Sequence, residues 1–200
     1  MRWTSTVAGL ALLGASATLG TAAPSEPTIV YGTCSVCHGH DGISPQTSFP
    51  DLAGQPQTYL ETELKDFHDH TRADHDAQAY MWSMAGNLST RAVDQIAQYF
   101  SSLEPPKAAA GENPAEIAAG EKIFQQGIPS ENVPACKTCH GAKAVGNEAF
   151  PRLAGQHREY MVAQLKALRS KARNDPIMSP IVEHVSDEQI RDVTAYLASL

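Results

Sequence analysis

Two short stretches carry residue types that could do chemistry, Cys34-Ser35-Val36-Cys37-His38 and Cys136-Lys137-Thr138-Cys139-His140, each followed by glycine. In a C-x-x-C-H run the two thiols stand one helical turn apart and reach the two vinyl groups of one porphyrin, while the adjacent histidine turns under the ring to ligate iron. Two runs imply two covalently bound c-type haems (heme c), attached through Cys34 and Cys37 and through Cys136 and Cys139. A four-cysteine zinc site fits worse: paired zinc motifs usually lie about 15–20 residues apart, whereas these start 102 residues apart. A thioredoxin-like dithiol would need no histidine after both copies. The two runs use all four cysteines, so none is left for a disulfide.

The elements that position these motifs are written twice. Phe49-Pro50-Asp51-Leu52-Ala53-Gly54-Gln55 returns as Phe150-Pro151-Arg152-Leu153-Ala154-Gly155-Gln156, with Tyr59 and Tyr160 following at equal distance. Met81 to Ser89 aligns with Met178 to Ser186. The offset drifts from 102 through 101 to 97, as expected where only loops change length. Each copy ends on an amphipathic helical pattern, Val93, Ile96, Ala97, Phe100 and Leu103 in one and Ile190, Val193, Leu197 and Leu200 in the other. Ser89 and Ser186 are their expected N-caps, and Ser186 with Gln189 makes a capping box. Middle helices are expected near 56–70 and 156–171, and another over 114–126. No strand pattern of any length appears. The fold class is all-α: two tandem haem domains related by internal duplication.

His38 and His140 are the expected proximal iron ligands, presenting neutral imidazoles. The repeated Pro50 and Pro151 suggest carbonyl acceptors for their other ring nitrogens. The sixth ligands must come from later in each copy. Met81 and Met178 occupy equivalent places eight residues before the capping serines, so they are the expected axial methionines. Met84 is the rival in the first copy; it faces Ile181, and Met161 faces Leu60, as ordinary core positions would. None of His68, His70, His75, His157 and His184 has a histidine across the repeat. A thioether raises the reduction potential, and an iron with both axial positions filled offers no site to oxygen or peroxide. This points to electron exchange and away from an enzyme such as a peroxidase. His68, Asp69, His70, His75 and Asp76 could chelate a metal but read better as a solvated face.

The formal charge is −7. Residues 24–104 hold eleven acids against Lys65, Arg72 and Arg91, and residues 105–200 hold eleven acids against eleven bases. An acidic half joined to a neutral half can steer encounter with a basic partner surface and argues against nucleic acid. Arg152, Arg158, Arg169, Lys171 and Arg173 are cations that could neutralise haem propionates or the acidic half across a domain interface. Residues 1–23 read as a secretory signal peptide, with Arg2, an apolar run and the small residues Thr21-Ala22-Ala23. Cleavage would release a soluble, exported protein; an uncleaved signal would anchor it at the membrane. The expected domains are 24–104 and 114–200, joined by a proline-rich linker, 105–113.

Taken together, the two haem motifs, the repeated F-P-x-L-A-G-Q, the tyrosine, the methionine before a capped helix and the signal resemble the two-haem class I cytochromes of the cytochrome c4 family. The resemblance implies two class I cytochrome c domains packed about a pseudo-twofold axis, with Cys34, Cys37, His38 and Met81 serving one haem and Cys136, Cys139, His140 and Met178 the other. It implies a periplasmic electron-transport protein whose redox partners are a quinol-oxidising complex as donor and a terminal oxidase of the respiratory chain as acceptor. The similar two-haem subunit of flavocytochrome c sulfide dehydrogenases implies an alternative, an electron-accepting subunit of a larger oxidoreductase. One departure stands out. After cleavage the first copy has about ten residues before its motif, including Pro24 and Pro27, so residues 24–30 are expected to be irregular and the first domain the less stable.

Overall fold

The structure, a computed structural model, describes Met1, residues 27–108 and residues 113–200. The expected signal, apart from Met1, and the middle of the expected linker lie outside the described residues. Among the described residues the regular elements are helical, with two isolated β-bridges, Ile128–Val133 and Asn147–Phe150. None of these helices is long and apolar enough to cross a membrane. Five longer helices frame the molecule: α1 (Gln57–His68), α2 (Thr90–Ser101), α3 (Pro114–Gln126), α4 (Arg158–Arg169) and α5 (Asp187–Ala198).

The terminal helices start where their caps require. Ser89 accepts from the Ala92 amide, and Ser186 and Gln189 exchange both bonds of the capping box. Each helix then buries the stripe its periodicity marks: Ile96, Ala97 and Phe100 in the first core, Val193 and Leu197 in the second. Asn113 caps α3 ahead of Pro114, whose missing N–H costs nothing in a first helical turn. In the second domain α3 crosses α5 at Gly120, where an added Cβ would come within 2.0 Å of the Asp192 carbonyl oxygen. Only a residue without a side chain lets the two backbones approach that closely.

The entry to the first domain differs from expectation. Thr28 and Ile29 are already helical, and Val30–Cys34 continues as a π-type segment into Ser35–His38. Val30 is fully buried against Ile96, Ala97 and Phe100, so this short helix does pack on α2. Burial of one apolar side chain orders a turn that propensity and the nearby prolines would leave loose. Pro27 remains outside the helix, and residues 24–26 lie outside the described residues.

The two domains meet through the repeated F-P-x-L-A-G-Q stretch. The Gln55 side chain donates to the Arg152 carbonyl at 2.8 Å and accepts from the Arg152 amide at 3.0 Å. Gln156 does the same with Asp51, donating to its carbonyl and accepting from its amide, both at 2.9 Å. An offset of 101 carries each pair onto the other, which makes the interface self-complementary about a pseudo-twofold axis. Gly54 and Gly155, both at positive φ, lie against Pro105 and Pro106, so the chain between the domains crosses this same seam.

Candidate functional site

Each C-x-x-C-H run forms a single helical turn, Ser35–His38 and Lys137–His140, closed by a glycine at positive φ. The turn sets the paired cysteines on one side and drives the histidine inward: all four cysteines are partly exposed, whereas His38 and His140 are buried. The cysteines are free of disulfides. Burial pushes the thiols of Cys34 and Cys136 up to about 11. A raised pKa marks Cys34 and Cys136 as thiols that their surroundings do not activate as nucleophiles.

The imidazoles are oriented as the repeated prolines suggest. His38 Nδ1 lies 2.9 Å from the Pro50 carbonyl oxygen and His140 Nδ1 lies 3.0 Å from that of Pro151. A carbonyl can only accept, so Nδ1 carries the proton and Nε2 keeps its lone pair. Desolvation lowers both histidine pKa values despite these carbonyls, which keeps the rings neutral. Phe49 and Phe150 add edge-on ring contacts to His38 and His140, with centroids 6.1 and 6.2 Å away. The sequence reading passed over these phenylalanines, although their repetition was the available signal.

Both Nε2-bearing rings line one continuous cavity of about 310 Å³ that runs between the domains. Met81 and Met178 line it too. Met81 ends the helical segment Ala77–Met81 and packs with Phe67 and Ala77; Met178 begins Met178–Val182 and packs with Leu168 and Ile190. Met84 is turned outward, 49% exposed, whereas Met161, buried in the second core, also lines the cavity. His140 Nε2 is buried with no hydrogen-bond partner. An orphaned imidazole lone pair facing a cavity that Met178 also lines, on the helical turn that carries Cys136 and Cys139, fits a covalently held haem.

The other expectations sort themselves by contact. No group of three or more His, Cys, Asp or Glu that could hold a metal occurs among the described residues. His70 stacks on Trp82 at 4.0 Å, and His75 pairs with Asp76. Of the second-domain cations, Arg158, Arg169 and Lys171 pair with Glu116, Asp187 and Glu183 of their own domain. Arg173 reaches across to Glu63 of the first domain, and Arg152 lines the cavity with its Nε buried and unpartnered.

The cytochrome c family model matches residues 28–104 and again residues 117–200, and the chain belongs to that family. Within it, the duplicated chain has the two-haem build of a cytochrome c4-type electron-transfer protein, with two covalently bound c-type haems. It is similar to cytochrome c-552 of Acidithiobacillus ferridurans, 39% identical over 93% of this chain and 81% of the relative. It is also similar to the thiosulfate dehydrogenase electron acceptor of Thiomonas intermedia, 37% identical over 94% and 86% of the two chains. Among solved structures, the cytochrome c4 of Acidithiobacillus ferrooxidans superposes with a TM-score of 0.79 at 40% identity, covering 84% of this chain and 98% of the other.

Proposed function

We propose that the chain is a periplasmic electron carrier, exported by cleavage of residues 1–23, that moves electrons from a quinol-oxidising complex towards a terminal oxidase. His38 and Met81 would hold the iron of the first haem, and His140 and Met178 that of the second. The observation that carries this reading is the shared cavity, where two carbonyl-locked neutral imidazoles and two equivalently placed methionines meet. The haems supply the one-electron iron couple. The chain's part would be to hold each histidine ring by its proline carbonyl and to keep it buried in the cavity that the methionines also line, so that little reorganises on transfer.

The acidic first domain supports docking on a basic partner surface, with an on-rate that falls as salt rises. The test is to reduce the loaded protein with membranes containing a quinol-oxidising complex, then follow reoxidation by a terminal oxidase. Fast, salt-sensitive transfer at both steps supports the carrier reading. A second reading, an electron-accepting subunit of a larger oxidoreductase, is favoured by the likeness to a thiosulfate dehydrogenase electron acceptor. Isolation from its host in stable complex with a dehydrogenase, and reduction by that enzyme but not by quinol, would decide for it.

A further inference from the structure

Four side chains close a ring across the domain interface. Glu63 on α1 pairs with Arg72 of its own domain through Oε2 and with Arg173 of the other domain through Oε1. Gln164 on α4 completes the ring by accepting at Oε1 from Arg72 at 2.8 Å and from Arg173 at 2.9 Å. Tyr160 and Tyr59 flank it, each 3.4 Å from the arginine of the opposite domain. Arg72 and Arg173 are equivalent at the offset of 101; so are Tyr59 and Tyr160, and so are Glu63 and Gln164. The four ring members therefore obey the pseudo-twofold axis except in charge, a carboxylate in the first domain standing where the second has an amide. Beside the ring, Arg72 Nε also pairs with the buried Asp74 at 3.2 Å, whereas the equivalent Asp175 accepts from the Ile177 and Met178 amides.

Placement makes that difference consequential. The side chains of Arg72, Glu63 and Arg173 are only 9%, 13% and 13% exposed, and the ring lines the same cavity as His38 and His140. Burial alone would raise the Glu63 pKa, but Arg173 and Arg72 outweigh it and hold the carboxyl below its usual range, so the charge persists at neutral pH. A fixed charge in a water-poor interior is weakly screened. It would stabilise the more positive, oxidised iron. By the pseudo-twofold axis, Glu63 on α1 stands to the first-domain pocket as Gln164 on α4 stands to the second, and both line the cavity. Glu63 projects from α1 between Leu60 and Leu64, which pack in the first core.

We propose that Glu63, through its charge asymmetry with Gln164, lowers the reduction potential of the first-domain haem relative to that of the second. A second interface pair, Asp51 and Arg152, also differs in charge, so Glu63 has to be isolated by exchange. The inference rests on the reading of two haems as paired one-electron carriers. It does not depend on which side chain is the sixth ligand of either iron.

The test is a redox titration resolved haem by haem through the haem methyl proton resonances, on the wild type, Glu63→Gln, Gln164→Glu and the double exchange. Glu63→Gln raises the first potential more than the second; Gln164→Glu lowers the second more than the first. The double exchange keeps all four ring groups and shifts the electron of the half-reduced protein towards the first haem by roughly tenfold, about 59 mV for a one-electron couple. An unchanged distribution in the double exchange, or equal shifts of both haems in the single variants, overturns the proposal. The far-red methionine-to-iron band of the same samples reports separately on the axial ligands, so failure of that assignment is told apart from failure of this one.

Discussion

His140 donates through Nδ1 to the carbonyl oxygen of Pro151 at 3.0 Å, an arrangement matched by His38 and Pro50 in the other domain. The bond fixes the tautomer and enriches the imidazole that faces the cavity. Pro151→Ala keeps the carbonyl but frees its backbone, so the bond weakens. The expected outcome is a rise in the second haem's potential with the first unchanged, read by a haem-resolved titration.

The methionines separate by exposure. Met81→Ala is expected to remove about half of the far-red band of the oxidised protein and to lower the first haem's potential, because a soft ligand is lost. Met84→Leu, at a position 49% exposed, leaves band and potential unchanged. Absorption spectra of the two variants check this.

Gly120 is a packing test of the second domain. A Cβ there would meet the Asp192 carbonyl and lie 2.9 Å from Tyr196 Cβ, so Gly120→Ala forces α3 away from α5. The expected cost is roughly 1–3 kcal/mol, seen as a lower midpoint for the second domain in urea while the first domain's transition stays in place.

Acid should loosen the interface. Glu63 has its folded pKa depressed below the ordinary 4.5, so its contribution to stability is present above that value and is lost as pH falls through the lower folded one. Unfolding midpoints measured downward from pH 5 are expected to fall less steeply in Glu63→Gln than in the wild type. Equal acid limbs would remove Glu63 from the account.

Among the described residues the first domain has the smaller helical framework, since the short helix of residues 28–34 stands where the second domain has the 13 residues of α3. Hydrogen exchange is expected to protect α2 less than α5, and equal protection would contradict it.

Much of this was legible in the residues because it is local or repeated. Cys–Cys–His spacing, the Ser186 and Gln189 box and the apolar stripes of α2 and α5 each follow from one or two helical turns. Pro50 and Pro151 were readable because duplication marks what both pockets need. The helix at Val30 was not, since it depends on burial against Phe100, 70 residues away in sequence. Of the ring of Glu63, Arg72, Gln164 and Arg173, the sequence offered only Arg173 as one of several cations that could reach the acidic half across an interface; its partners look like ordinary surface residues until the domains dock. Their common offset of 101 was the signal available, and it marks equivalence without showing contact.

The central claim is that both irons are closed by histidine and methionine and exchange single electrons. It is tested most directly by one optically monitored redox titration of the haem-loaded mature protein, watching the far-red methionine-to-iron band. Two high-potential one-electron steps, with a band intensity that accounts for both haems, are the expected result. A low-potential or high-spin haem in either domain would contradict the ligand assignment there and, with it, the carrier reading for that domain.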